Sequence, residues 1–445
     1  MIIALIVIFI LGYLFIASEH FLSINKAAVA IIMCGVLWAV YALCTHDPSI
    51  STEMVEALGD TCEIVVFLIG AMTIVELIDR YGGFRIIIDH IRASSKRKLM
   101  WLMAFVAFIL SALLDNMTTT IIIVMMLRKL IEDRNERWIF ASVVVIAANA
   151  GGAWSPIGDI TTIMLWMKNY VTSVNLITHL LLPSIISVAV PVLIASAMIE
   201  PKPVEVLEGV ETHEGYDMYK EHRGISIFIL CCGIAGLLFV PAFKALTHLA
   251  PYVGILLSLG IIWVITELIV KKYELDGKMD GRIAQIIRHI DMPTLLFFLG
   301  ILMAVAALGQ AGILSELAEW LNVTLHNVFI INAVIGVLSS IVDNVPLVAA
   351  CMDMYPVATD AMIQASADPT YMANFVEDGL FWHLLTFCAG VGGSILIIGS
   401  AAGVVAMGIE KIPFTWYLKR ISLMALSGYV AGIAAIWLES RFMSF

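Results

Sequence analysis

The sequence predicts an all-α polytopic membrane protein made of two inverted repeats of five transmembrane spans, each with a re-entrant hairpin and a discontinuous helix. Three observations carry that prediction: the composition, a duplicated polar landmark, and the distribution of basic residues among the loops. Of 445 residues, 61% are apolar and only 14% charged, and the mean hydropathy is +0.98, far from the values of a water-soluble domain. Apolar runs follow one another at lengths near the roughly 20 residues a helix needs to cross hydrocarbon. The net charge of -11 comes from short loops and one linker with no basic patch, so no nucleic-acid partner is expected.

The landmark is Ser111-Ala112-Leu113-Leu114-Asp115-Asn116-Met117-Thr118-Thr119-Thr120, whose core returns as Ser339-Ser340-Ile341-Val342-Asp343-Asn344-Val345-Pro346. In both copies an Asp-Asn dipeptide interrupts an apolar run, an expensive placement in lipid that marks a functional site by default. Two further landmarks repeat in the same order. Phe67-Leu68-Ile69-Gly70-Ala71-Met72 parallels Phe297-Phe298-Leu299-Gly300-Ile301-Leu302, and Asn149-Ala150-Gly151-Gly152-Ala153 with Gly158-Asp159 parallels Gly390-Val391-Gly392-Gly393-Ser394 with Gly399-Ser400. Repeats of this kind place a transporter's site between two structural halves.

In chain order, residues 1–199 form the first repeat, with apolar runs at 2–17, 25–44, 62–79, 99–127, 138–168 and 176–199. The first of these lacks the basic flank and small-residue cleavage site of a signal peptide and reads as a retained span. Residues 200–224 form an acidic linker carrying Glu205, Glu208, Glu211, Glu214, Asp217 and Glu221. Residues 225–445 form the second repeat, with runs at 225–243, 251–270, 292–308, 328–352, 379–408 and 421–438.

Basic residues mark cytoplasmic loops. The loop before Asp115 carries Arg80, Arg85, Arg92, Lys96, Arg97 and Lys98, and the loop after it Arg128, Lys129, Arg134 and Arg137. Both ends of 99–127 therefore lie inside, and the segment must enter and return as a hairpin with Asp115-Asn116 at its tip. The flanks of 328–352 are acidic and lack Lys and Arg, so that hairpin enters from the opposite face. Five spans per half then invert the second half relative to the first. The runs 138–168 and 379–408 exceed one straight span and contain Gly-Gly near their middles, the first also Ser155-Pro156; both read as broken helices whose free ends meet the hairpin tips.

Asp115, Asp159 and Asp343 are the carboxylates expected near mid-bilayer, as the groups that exchange ions. Each could simply cap a helix, but Ser or Thr would do so at lower desolvation cost. Asn116, Asn344, Asn149, Thr118 to Thr120, Thr161, Thr162, Ser394 and Ser400 add neutral oxygens, the ligands small hard cations prefer. Burial favours a neutral carboxyl and a bound cation favours the anion, so proton and metal ion compete for the same oxygens. Glu76, Glu63, Asp291 and His383 are expected at interfaces or caps. The seven cysteines show no metal-ligand spacing, and no phosphate-binding Gly-rich loop occurs, which leaves ATP-driven transport unsupported.

Together, the paired Asp-Asn hairpins, Ala148-Asn149-Ala150-Gly151-Gly152 through Ser155-Pro156-Ile157-Gly158-Asp159-Ile160-Thr161-Thr162, and Gly392-Gly393-Ser394 through Gly399-Ser400-Ala401-Ala402-Gly403 resemble the NhaD family of sodium/proton antiporters in the ion transporter superfamily. The resemblance implies a secondary transporter, not an enzyme, in the inner (cytoplasmic) membrane. It would exchange Na⁺ or Li⁺ for H⁺ without a cofactor, as a homodimer whose hairpins move in an elevator-like manner. It also implies Asp115, Asn116, Asn149, Asp159, Thr161, Asp343 and Asn344 as the polar motif. Ser400 stands where repeat symmetry would put a second Asp159, so an asymmetric site is expected. The alternatives on the same scaffold are an arsenite carrier or an organic-anion carrier for citrate or dicarboxylate. An intramembrane aspartyl protease would need two facing Asp residues, which opposed hairpins disfavour.

Overall fold

Helices begin where the chain places a short polar side chain ahead of an apolar run, because that side chain accepts a bond from an otherwise orphaned amide. Asn25, Ser95, Asp115, Asp133, Asp159, Thr172, Asn327, Asp343 and Ser400 all cap in this way. The computed structural model describes residues 1–17, 24–84, 86, 93–200, 222–273 and 283–442, and its longer helices are α1 (Ile2–Ala17), α2 (Lys26–Thr45), α3 (Ile50–Arg80), α4 (Lys96–Leu113), α5 (Asn116–Leu130), α6 (Arg134–Ala153), α7 (Ile160–Met167), α8 (Ser173–Met198), α9 (Arg223–Thr247), α10 (Pro251–Lys272), α11 (Met292–Gln310), α12 (Ile313–Leu325), α13 (Val328–Ser339), α14 (Asn344–Met354), α15 (Leu380–Gly392), α16 (Ala401–Glu410), α17 (Phe414–Arg420) and α18 (Ser422–Glu439). No strand occurs among the described residues.

Seven described helices are long and apolar enough to cross a membrane: α2, α3, α8, α9, α10, α11 and α18. Leu182, Leu193, Leu238, Ile261, Leu268, Leu423 and Val430 on these helices are exposed, as the lipid-facing side of a multi-pass protein requires. Expected boundaries shift in two places. The run at 62–79 belongs to a helix that already starts at Ile50, so Glu63 caps nothing and lies 3.5 Å from Lys168 instead. The acidic linker lies, from 201 to 221, outside the described residues.

The helices pack in two groups, each drawn from both ends of the chain. One joins α1, α2, α3, α9, α10 and α11; the other joins α4, α5, α6, α8, α13, α15, α16 and α18. Helices α7 and α14 lie between, α7 touching α3, α14 and α15, and α14 touching α11, α7 and α15. The second group owes its tightness to glycines at points of backbone contact. A Cβ on Gly151 would stand 2.3 Å from the Phe108 carbonyl oxygen, and one on Gly392 would stand 2.2 Å from that of Gly336. Matching hydroxyl bonds stitch the same pairs of helices: Ser111 donates to Ala148 O at 2.6 Å and Ser339 to Ala389 O at 2.8 Å.

Gly392→Ala should therefore destabilise the protein by roughly 1–3 kcal/mol, the usual cost of overpacking a close contact. Gly408 has open space where a Cβ would stand, with no neighbouring atom within 4 Å, and should accept alanine without loss. Apparent melting temperatures of the two purified variants check the contrast.

Candidate functional site

The run expected at 138–168 is helical as α6 to Ala153, irregular from 154 to 159, and helical again as α7 from Ile160. The run at 379–408 divides in the same manner between α15 and α16. The hairpin segments likewise turn at Leu114-Asp115 and between Ser340 and Asp343. Pro156 and the glycines cannot sustain a hydrogen-bond ladder, and the polar side chains at each break take over the freed amides.

Six of the expected site residues meet in one buried network. Asn116 donates its amide to Asn149 Oδ1 at 3.1 Å and to Asp159 Oδ2 at 3.0 Å. Asn344, from the other hairpin, reaches the same Asp159 oxygen at 3.4 Å. Asn149 donates to the hydroxyls of Ser394 and Ser400 at 2.9 and 2.8 Å. The side chains of Asn116, Asn149, Asp159, Asn344, Ser394 and Ser400 are all buried. Asp159 Oδ1 accepts the Thr161 amide at 3.2 Å, and the Thr161 hydroxyl lies beside that carboxylate without a well-directed hydrogen bond. Tyr417 steadies Ser394 by donating to its carbonyl oxygen at 2.7 Å.

Asp115 and Asp343 border this network but are engaged differently. Asp115 accepts the Thr118 amide at 2.6 Å and its hydroxyl at 2.7 Å. Asp343 accepts the Val345 amide at 3.2 Å on Oδ1 and the Lys26 ammonium at 3.3 Å on Oδ2. Sequence reasoning missed Lys26, which sits in the first turn of α2 and looks like an ordinary interface lysine. It also missed the buried Glu410, which accepts from Arg128 Nε at 2.8 Å and Arg137 Nε at 2.6 Å. Glu76 pairs with Arg80 one turn on at 3.2 Å, and His383 Nδ1 lies 3.2 Å from Gly379 O.

The chemistry is that of a weak site for a hard ion. Its ligands are carboxylate, amide and hydroxyl oxygens, and among the described residues no group of three or more His, Cys, Asp or Glu could hold a metal. One buried carboxylate among neutral oxygens suits an ion that has to leave again; a resident metal would call for several anionic or imidazole ligands. The N-termini of α5, α7, α14 and α16 meet here, each capped by a site residue: Asp115, Asp159, Asp343 and Ser400.

Broken helices whose free ends surround a buried polar centre, within a bundle whose outer faces are apolar, define a multi-pass membrane transporter. A family model described as "Citrate transporter" matches residues 6–376. "Sodium/proton antiporter 2" of Arabidopsis thaliana is 42% identical over 426 residues, covering 96% of this chain and 97% of that protein. "Na(+)/H(+) antiporter NhaD" of Vibrio cholerae is 30% identical over 463 residues, covering 97% and 90%, and that of Vibrio parahaemolyticus is 31% identical over 441 residues, covering 91% and 98%. The chain belongs to the NhaD family of sodium/proton antiporters, within the group that the citrate-transporter model describes.

Proposed function

We propose that the protein exchanges Na⁺ or Li⁺ for H⁺ across the cytoplasmic membrane. The observation that carries this reading is the Asp159 carboxylate, buried at a helix break and held by an Asn from each hairpin tip at 3.0 and 3.4 Å. A cation entering the network would replace the amide donors on Asp159, and Asn116, Asn149 and Asn344 would turn their oxygens toward it. Ser394, Ser400 and Thr161 supply further oxygens, and Asp115 and Asp343 add negative charge at the rim. When the cation leaves, a proton neutralises the carboxylate. Loaded and protonated forms can both switch sides, whereas the empty anion is held back by the cost of an uncompensated buried charge. That asymmetry is sufficient for antiport.

The rest of the architecture fits the same reading. The halves 1–199 and 225–445 act as inverted repeats, the hairpins enter from opposite faces, and the group containing α4 to α6 moves against the one containing α2, α3 and α11, within a homodimer. Na⁺ or Li⁺, H⁺ and the bilayer are the partners, and no cofactor takes part.

An organic-anion carrier is the second reading, because helix N-termini attract carboxylates. Here three of the four converging N-termini already carry Asp115, Asp159 and Asp343, which would repel a dianion. The deciding assay is ΔpH dissipation in everted vesicles from cells lacking their own antiporters, with NaCl, LiCl, KCl and arsenite added in turn. Na⁺ or Li⁺ should dissipate the gradient, and Asp115→Asn should abolish that response while the protein still inserts. Silence with cations from pH 6 to 9, or wild-type exchange in the variant, would overturn the reading.

A further inference from the structure

The two hairpin tips differ at one position. In the first, Thr118 satisfies both oxygens of Asp115, one through its amide and one through its hydroxyl. The residue in the same place after Asp343 is Pro346, which has neither an N–H nor a hydroxyl to give. Asp343 therefore caps its helix with one oxygen only, and the Lys26 ammonium takes the other at 3.3 Å. Among the described residues, the ion pairs found include none on Asp115.

Lys26 is anchored to the other helix group. Its ammonium lies 4.3 Å from the centre of the Phe297 ring on α11. Helices α2 and α11 are locked together: a Cβ on Gly300 would stand 2.8 Å from the Ala30 backbone, and Trp38 Nε1 donates to Met303 O at 2.9 Å. The ion pair thus ties the α2–α11 unit to a hairpin tip that packs on α7 and α15. Its side chains are 25% and 18% exposed, enough for a small ion to reach Asp343 from water.

We propose that Lys26 is a built-in competitor for the transported cation. Its fixed charge occupies Asp343 Oδ2 while the tip is empty, and Na⁺ displaces it, freeing the tip of the second hairpin from the α2–α11 unit. The lysine keeps its proton throughout, so the competition is one of charge for charge. This inference rests on the antiport reading above and adds a residue that sets cation affinity and couples loading to movement.

The test measures Na⁺ binding to the purified protein by calorimetry and, in parallel, half-saturating Na⁺ and maximal rate in vesicles. Lys26→Gln should bind Na⁺ about tenfold more tightly and lower the half-saturating concentration to match, within the roughly 5- to 150-fold range of coupled ligands. Lys26→Arg, which keeps the charge, should stay near wild type. In an Asp343→Asn background, Lys26→Gln should produce no further tightening. A purely structural lysine would instead lower the maximal rate in both single variants, leaving affinity unmoved. Unchanged or weaker Na⁺ binding in Lys26→Gln, with an active wild type, overturns the competitor role and leaves the antiport reading standing. A wild type that neither binds nor exchanges Na⁺ overturns both.

Discussion

Asp159→Asn should eliminate Na⁺-driven proton movement in everted vesicles while leaving the protein inserted and folded. The substitution preserves size, and an amide oxygen can still accept from the Thr161 amide and from Asn116, the bonds that hold the α6–α7 break in shape. What it removes is charge, and with it the group that can carry a proton. Losing a charge-assisted contact costs roughly 1.5–3 kcal/mol, so Na⁺ affinity should fall by at least about tenfold even where binding persists. Exchange itself should vanish, because an amide does not titrate. Calorimetry and the ΔpH assay separate these two effects, and a wild-type exchange rate would remove Asp159 from the mechanism.

Glu410→Gln should be among the most destabilising single substitutions in the chain, although it lies outside the ion site. The Glu410 side chain is 1% exposed and receives Arg128 and Arg137, with side chains 42% and 17% exposed. Trp138 Nε1 also donates to the Glu410 carbonyl oxygen at 3.0 Å, and the Arg128 guanidinium reaches Ile409 O. One carboxylate thus ties the end of α16 to α5 and α6, the helices that present Asn116 and Asn149. Removing one member of a buried pair usually costs about 3–5 kcal/mol, since the remaining charge loses its partner. Arg128 can turn to solvent and soften that loss, so the lower end is expected here, read as a clear drop in apparent melting temperature. In a double-substitution cycle, Arg137→Gln should add little once Glu410 is neutral; full additivity would mean that the pair carries no coupling.

Several features were legible without coordinates because their causes are local. Asp115, Asp159, Asp343 and Ser400 cap the helices that immediately follow them, and a cap is determined by residues one turn away. The irregular backbone at 154–159 follows from Pro156 and neighbouring glycines, which break helices in any context. The lipid-facing character of α8, α10 and α18 is written in composition, since every backbone group in hydrocarbon must be satisfied within its own segment.

Partnerships across the chain were not legible, because apolar periodicity tells a helix that it has neighbours without saying which. Asn344 and Asp159, 185 residues apart, share a bond only because α7 and α14 lie side by side. The polar residues before Glu63 resemble a loop, yet they continue α3 past its apolar core. Lys26 and Glu410 stand near helix ends, where charged residues ordinarily meet solvent or headgroups. The available signal for Lys26 was indirect: Pro346 in place of Thr118 leaves one oxygen of Asp343 without a local donor. A multi-pass helical protein with polar breaks and carboxylates at them follows from the order of residues, since lipid solvation and capping act over a few positions. It took the packing of two intertwined helix groups to bring two asparagines onto Asp159 and a lysine onto Asp343, because those contacts join segments that no local rule connects.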